Sequence, residues 1–326
     1  MEYGTNLKIV FMGTPEFGAI ILEGLIEKGF KPVSIITSPD KPVGRKQTIT
    51  SPPTKISAQK HNIPVLQPEI LADAKSQIIN HKPDLIVVSA YNQIIPKEIL
   101  DIPKYGCLDI HPSLLPKYRG PSPIQTAILN GDKKTGVTII LMDEKVDRGP
   151  ILSQKTLVID KKETSQTLLI KLADLGTRLL METVSRWIKK MIKPLSQDES
   201  QATYSRILHK DDGKINWKRT ADRLEKEIRA YFPWPGSYTF WKKLGKSIKI
   251  DILEARVLES TETVGYPVGK TLVVPQNEIG VQCGAGLIGK AGDFLVIEKM
   301  KMEGKKEMIS EDFLRGHPDF IGTILK

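Results

Sequence analysis

The first half of the chain alternates short apolar runs with amphipathic stretches, and this alternation constrains the fold more than any other feature. The run Asp84–Ala90 (DLIVVSA) is apolar on both faces, which is typical of a parallel strand covered by helices on each side. Similar runs at Leu7–Met12 and Val33–Thr37 are separated from it by amphipathic stretches at Glu16–Lys28 and Ile70–His81. Strands that alternate with helices predict a Rossmann-like α/β domain built on a doubly wound, mainly parallel sheet.

The pattern changes after a helical stretch that runs from Thr164 to Ile192. Residues 193–205 are polar and turn-rich, which is typical of a linker. The short β runs that follow, with glycine and proline between them, favour a small β-barrel. These runs are Ser247–Ala255, Lys270–Val274, Gly280–Cys283, Leu287–Lys290 and Phe294–Met300. We therefore expect an α/β domain over residues 1–192, a linker over 193–205 and a β-barrel domain over 206–326.

Composition limits the class of protein. The 40% apolar and 26% charged content of the 326 residues are those of a soluble globular protein, and no apolar run approaches the roughly 18–20 residues of a membrane span. The N-terminus lacks the features of a signal peptide, and Cys107 and Cys283 lack metal-type spacing. We therefore expect a cytoplasmic protein with reduced thiols and no metal. The net charge of +10 fits a nucleic-acid partner and a basic enzyme equally well.

The segment Tyr105–Leu152 contains residues that can perform acid–base chemistry. Asp109 and His111 are two positions apart on a short apolar strand, so both side chains project from the same face. Pro112 ends that strand and begins an irregular loop rich in proline and glycine. A histidine beside an acidic group at a strand end is typical of an acid–base site.

A second strand, Val137–Met142, leads into a loop that carries Asp143 and Asp147. In doubly wound sheets the ligand crevice lies beyond the carboxyl ends of the strands. We expect Gly13 and Tyr91 at that edge too, because each follows a predicted strand. The carboxylates and His111 are thus expected to share one crevice.

This segment resembles the folate-dependent formyltransferases. The family motif Asn-x-His-x-Ser-Leu-Leu-Pro stands here as Asp109–Pro116, its Tyr-Arg-Gly as Tyr118–Gly120 and its Asp-x-Gly as Asp147–Gly149. Farther along, Ile228–Pro235 (IRAYFPWP) and Gly304–Lys306 (GKK) are similar to segments of the methionyl-tRNA formyltransferases. The resemblance covers nearly the whole chain, and it implies that residues 206–326 form a small open β-barrel of the OB type that binds tRNA.

The resemblance implies transfer of a formyl group from 10-formyltetrahydrofolate to the amino group of methionyl initiator tRNA, by a monomer without membrane contact. It implies three catalytic residues, Asp109, His111 and Asp147. The folate cosubstrate is expected to contact Tyr91, Ile94, Ile95, Pro96, Ser113, Leu114, Leu115, Pro116 and Asp143. The tRNA is expected to contact a basic loop with Lys41, Arg45 and Lys46, and in the C-terminal domain Lys242, Lys243, Lys305 and Lys306.

Asp109 departs from the family pattern, because the family has asparagine at this position. The asparagine amide can donate a hydrogen bond to an oxyanion, whereas an ionised carboxylate cannot. Either Asp109 is protonated by desolvation and keeps an O–H donor, or the enzyme is impaired. Two other functions stay open: formyl transfer to a small amine, such as an amino sugar or purine precursor, and a catalytically impaired folate- or tRNA-binding homologue.

Overall fold

The computed structural model describes residues 7–44, 47–259, 265–285 and 292–326. The described chain divides into two compact units. The first unit holds the chain before Gln125 together with Lys133–Ile159 and Thr167–Arg206, and the second holds Gln125–Asp132, Asp160–Gln166 and Ile207–Lys326. Residues 193–205, expected to form a linker, lie within the first unit.

The first unit is built on a seven-stranded sheet with a separate two-stranded hairpin formed by β3 and β4. The strands are β1 (Ile9–Gly13), β2 (Ser34–Ile36), β3 (Lys41–Val43), β4 (Thr48–Thr50), β5 (Val65–Leu66), β6 (Leu85–Ser89), β7 (Cys107–His111), β8 (Lys134–Leu141) and β9 (Ile151–Val158). The sheet order is β5-β2-β1-β6-β7-β8-β9. Neighbours from β5 to β7 are parallel, whereas β8 and β9 are antiparallel. The mainly parallel α/β sheet is therefore confirmed.

Helices connect these strands, and three of them overlap the helical stretches that the sequence predicts at 16–28, 70–81 and 164–192. They are α1 (Glu16–Glu27), α2 (Pro53–Lys60), α3 (Lys75–His81), α4 (Lys97–Leu100), α5 (Pro123–Leu129) and α6 (Ser165–Ile188). Helix α1 follows Pro15 and carries Glu16 in its first turn, where a negative charge is favourable. It buries Phe17, Ile21 and Leu25. No helix in the described parts of the chain is long and apolar enough to cross a membrane.

The antiparallel direction of β8 corrects one expectation about the site. Leu141 at the end of β8 pairs with Leu108, while His111 pairs with Thr138. The end of β8, and Asp143 directly after it, therefore lie beside the start of β7 and not at the carboxyl edge of the parallel strands. The chain has to turn back along β7 before the next loop residues reach His111.

The second unit is a curled antiparallel sheet packed against helices. Its elements are α7 (Ala221–Tyr231), β10 (Ser237–Lys243), β11 (Lys246–Leu258), β12 (Thr271–Val274), β13 (Glu278–Gln282), β14 (Phe294–Met302), β15 (Glu307–Ile309) and α8 (Ser310–Gly316). The sheet order is β10-β11-β14-β13-β12, with β15 also pairing with β14. The predicted strand Leu287–Lys290 lies outside the described residues.

The C-terminal residues 323–326 join the two edges of this sheet. Lys326 exchanges backbone hydrogen bonds of 2.9 and 3.1 Å with Phe240 on edge strand β10, and the Thr323 carbonyl accepts one of 2.9 Å from Thr271 on edge strand β12. A sheet whose two edges share one segment is strongly curled. The expected barrel-like second domain is thus confirmed.

Aromatic side chains form the centre of the second unit. Trp241 is 1% exposed, and its ring centroid lies 5.1 Å from that of Phe320 and 6.2 Å from that of Phe313. Both pairs are close to edge-to-face, which is the favourable arrangement for aromatic rings. The packing of α8 against the sheet therefore depends on Trp241.

Trp241→Ala should lower the free energy of unfolding by about 3–5 kcal/mol, because it leaves a large cavity among these rings. Trp234→Ala is the matched control, since Trp234 is 54% exposed, and it should cost less than about 1 kcal/mol. Urea titration followed by circular dichroism measures both. Equal losses in the two variants would contradict this assignment of the core.

Candidate active site

Strand β7 positions the first two site residues. Its alternation places Asp109 and His111 on one face, and both are buried, Asp109 being 8% exposed. His111 Nε2 lies 3.0 Å from the backbone carbonyl oxygen of Tyr118. Because a carbonyl oxygen can only accept, Nε2 must carry the proton and donate. The other ring nitrogen, Nδ1, is therefore the one that can interact with other groups of the site.

Asp147 reaches this pair through a tight loop after β8. Its backbone φ is +54°, in the left-handed region that residues with a side chain rarely adopt. Gly149 passes so close to Leu141 that an added Cβ would lie 2.0 Å from the Leu141 carbonyl oxygen. A glycine is therefore required for the chain to return along β7.

The carboxylate of Asp147 lies between two partners. Its Oδ1 is 3.6 Å from His111 Nδ1, which is too long for a direct hydrogen bond. Its Oδ2 accepts a hydrogen bond of 2.6 Å from the backbone N–H of Gly120. Asp147 thus faces Nδ1 of His111, the ring nitrogen that does not bond to Tyr118.

Asp109 is electrostatically the most perturbed group of the site. Burial raises the pKa of Asp109 well above its ordinary value, and the nearby charge of Asp147 raises it further, with a backbone hydrogen bond from Ile110 acting in the opposite direction. The neutral acid is therefore favoured, and it has an O–H that can donate. This direction agrees with the interpretation that Asp109 replaces the family asparagine as a protonated donor.

Ligand atoms of Asp109, His111 and Asp147 all lie within 4.8 Å of one another. One histidine and two carboxyl groups can also serve as ligands for a divalent cation. Two of the polar atoms are already engaged, His111 Nε2 by Tyr118 and Asp147 Oδ2 by Gly120. The remaining atoms of the group can take part in hydrogen bonding and proton exchange.

The predicted folate residues lie on two segments. Ile95 belongs to a buried apolar cluster against which Tyr91 and Met142 also pack. Burial raises the pKa of Tyr91 to about 12. Its buried hydroxyl has no hydrogen-bond partner among the described residues, which is unfavourable unless another molecule supplies one. Ile94 is exposed.

The segment Ser113–Pro116 forms the loop after β7. Ser113 Oγ donates to the Lys117 carbonyl at 2.5 Å, and the N–H of Leu115 donates to Thr138 at 3.1 Å. Asp143 is exposed and accepts a hydrogen bond of 2.8 Å from the N–H of Lys145. These contacts shape the two loops, and folate contact at these residues stays a prediction.

The predicted tRNA-binding residues lie in both units. Lys41 is exposed on β3, whereas Arg45 and Lys46 lie outside the described residues. In the second unit Lys242, Lys305 and Lys306 are exposed. Lys243 pairs with Asp319 at 3.0 Å, and its Nζ lies 4.7 Å from the centre of the Trp241 ring. Lys243 is thus already engaged within the protein.

Sequence reasoning missed the groups that hold the Asp147 loop. Gln197 donates to two backbone carbonyls of this loop, and Arg119 binds Gln197. Arg119 belongs to the Tyr-Arg-Gly motif, but no sequence pattern predicts its contact with Gln197, a residue much farther along the chain.

Family descriptions and solved structures define the class of protein. Residues 7–184 match the family described as Formyl transferase, and residues 207–318 match Formyl transferase, C-terminal domain. HypX from Aquifex aeolicus, solved in complex with tetrahydrofolic acid, is 18% identical to this chain with a TM-score of 0.60. The match covers 96% of this chain and 47% of HypX, so the chain spans about half the length of HypX. The N-formyltransferase from Helicobacter canadensis, in complex with folinic acid and dTDP-3-aminofucose, is 21% identical with a TM-score of 0.60, over 90% of this chain and 99% of that one. The fold is that of a formyltransferase.

Curated relatives define the family more narrowly. The methionyl-tRNA formyltransferase of Citrifermentans bemidjiense is 40% identical, over 96% of this chain and 94% of the relative. That of Bacillus velezensis is 43% identical, over 98% of this chain and 97% of the relative. The chain belongs to the methionyl-tRNA formyltransferase family, and the resemblance noted in its motifs is confirmed.

Asp109→Asn should stabilise the protein at neutral pH. The native pKa of Asp109 lies above the value of about 3.9 expected in the unfolded chain. The wild type therefore loses stability as pH rises from the unfolded pKa through the native pKa, because the unfolded state releases the proton first. The advantage of Asp109→Asn in free energy of unfolding should grow with pH above about 4.

Urea titrations of both proteins between pH 4 and 9 measure this difference. Asp143→Asn is the matched control, because Asp143 is an exposed aspartate of the adjoining loop. An advantage of Asp109→Asn that is absent, or the same at every pH, would show that Asp109 is ionised as readily in the native state as in the unfolded chain.

Proposed function

We propose that the protein transfers the formyl group of 10-formyltetrahydrofolate to the amino group of methionine on initiator tRNA. The observation that carries this proposal is the group formed by Asp109, His111 and Asp147, whose polar atoms lie within 4.8 Å of one another. It occurs in a chain that is 40% identical to a methionyl-tRNA formyltransferase over nearly its full length.

Each of the three residues has a role that its geometry supports. Attack of an amine on a formyl carbon places negative charge on the formyl oxygen, so the site needs hydrogen-bond donors. The neutral carboxyl of Asp109 supplies one such donor. His111 supplies another through Nδ1 when the ring is protonated, since Nε2 already donates to Tyr118.

Asp147 completes the proton chemistry. Its carboxylate faces His111 Nδ1, where it can orient a proton-carrying water beside the ring. The attacking α-amino group has an ordinary pKa of about 8 or below and is partly neutral at pH 7. The site therefore needs no strong base. It has to transfer only one proton, from the attacking nitrogen to the leaving nitrogen.

Tyr91 supports a folate site beside this group. Its buried hydroxyl has no partner among the described residues, and a pterin offers polar ring atoms that can bond to it. Ile95 and Met142 belong to the apolar cluster against which Tyr91 packs, and apolar side chains of this kind suit the flat face of a pterin. Folate then extends along residues 91–96 and 113–116.

A tRNA substrate is favoured over a small amine. The N-formyltransferase crystallised with an amino-sugar nucleotide is 21% identical to this chain, whereas the relatives named for methionyl-tRNA are about 40% identical. Exposed lysines of both units are available for phosphates: Lys41, Lys242, Lys305 and Lys306. Arg45 and Lys46 lie outside the described residues, and their contact with tRNA is proposed from the sequence alone.

The direct test is incubation with charged initiator tRNA and 10-formyltetrahydrofolate, followed by detection of formyl-methionine. Product on initiator tRNA, and none on an amino-sugar nucleotide, is the expected result. Product on the amino-sugar nucleotide alone would establish the rival substrate class.

The kcat of the wild type should fall as pH rises through the raised pKa of Asp109, because ionisation removes the O–H donor. Asp109→Asn has a neutral amide at every pH and should lack this decline. Above the decline the variant should be faster by up to about 10²-fold, the effect of one oxyanion donor. Full wild-type activity at high pH together with a slower Asp109→Asn would mean that the carboxylate acts as a base.

A further inference from the structure

Arg119 is a fully buried cation with a complete set of partners. Its side chain is 0% exposed. Nη1 and Nη2 donate to the two carboxylate oxygens of Glu199 at 2.9 Å each, and Nε and Nη2 donate to Gln197 Oε1 at 3.1 and 2.8 Å. The remaining Nη1 proton faces the hydroxyl oxygen of Tyr204 at 3.4 Å. All the donors of the guanidinium are thereby used, so its position is fixed.

Gln197 connects this fixed cation to the loop of Asp147. Its Nε2 donates to the carbonyl oxygens of Asp147 and Gly149, at 2.8 Å each. Its Oε1 accepts from Arg119, so the amide has no free hydrogen-bonding capacity. Only one orientation of the amide satisfies all of these bonds, because guanidinium donates and carbonyls accept.

The chain around Gln197 also holds the second contact of Asp147. Gly120, whose N–H donates to the Asp147 carboxylate, directly follows Arg119. The backbone of Arg119 donates to the Thr203 carbonyl at 2.9 Å and accepts from the Ser205 N–H at 2.8 Å. Residues 197–205 therefore hold both the backbone and the carboxylate of Asp147.

We propose that Gln197 is a positioning residue for the formyl transfer, which keeps the Asp147 carboxylate beside His111 and Asp109. The inference rests on the proposed function. The left-handed backbone of Asp147 is intrinsically unfavourable and persists only when surrounding contacts impose it. The two hydrogen bonds of Gln197 to the carbonyls of Asp147 and Gly149 are contacts of this kind.

Gln197→Glu separates this role from simple structural support. The variant keeps an oxygen acceptor for Arg119 and loses both donors to the loop carbonyls. Its carboxylate also repels those carbonyl oxygens, so the Asp147 loop should move. Gln201→Ala is the matched control, since Gln201 is an exposed glutamine of the same segment that donates to Asp198.

Gln197→Glu should fold with a melting temperature close to that of the wild type, since its contact with Arg119 remains. Its kcat should fall by about 10–10²-fold with little change in KM for tRNA, as expected for a displaced catalytic group. The decline of kcat with pH should move to lower pH, because Asp147 no longer raises the proton affinity of Asp109. Gln201→Ala should match the wild type throughout.

The outcomes separate this inference from the proposed function. Absence of formyl-methionine with the wild type and Gln201→Ala would reject the proposed function itself. If both are active, a Gln197→Glu protein with unchanged kcat and pH profile would overturn the positioning role. So would an unfolded Gln197→Glu, or one that loses activity without any shift of the pH profile, because either result indicates structural support alone.

Discussion

Two carboxyl groups, Asp109 and Asp147, meet one imidazole at the buried end of β7. Two negative charges this close, away from water, repel each other strongly, so the pair is stabilised when one of them holds a proton. Asp109 is the more buried group and has the raised pKa. Asp109, which stands where the family has asparagine, can therefore still donate a hydrogen bond through a protonated carboxyl group.

The remainder of the site follows from the need to hold Asp147 near that acid. Strand β8 ends beside Leu108, so the loop that follows has to reach back toward His111. This loop contains Asp147, whose backbone has a positive φ in the left-handed region. Such a loop needs contacts from elsewhere, and residues 197–205 supply them through Gln197 and the backbone around Arg119. The geometry of the proposed active site thus depends on a segment whose composition is that of a linker.

Local features of the fold could be read from the sequence, and long-range ones could not. Strand β7 ends at His111, as predicted from the proline that follows it. Thr220 caps α7 through its side chain, and a threonine before an amphipathic run is a helix-start signal that the sequence itself contains. The direction of β8 was not predictable, since an apolar run is the same in either direction. The hydrogen bond from the Gln197 side chain to the Asp147 carbonyl was not predictable either. The two residues are 50 positions apart in the sequence, and no local sequence pattern connects them.

The protonation state of Asp109 is the central claim, and carbon-13 NMR of aspartate carboxyl groups tests it most directly. The Asp109 signal is assigned by its loss in Asp109→Asn, and its chemical shift is followed from pH 4 to 9. The predicted result is a protonated Asp109 at pH values where exposed aspartates are already ionised, with a titration midpoint well above about 3.9. A carboxyl that titrates together with the exposed aspartates would contradict the account.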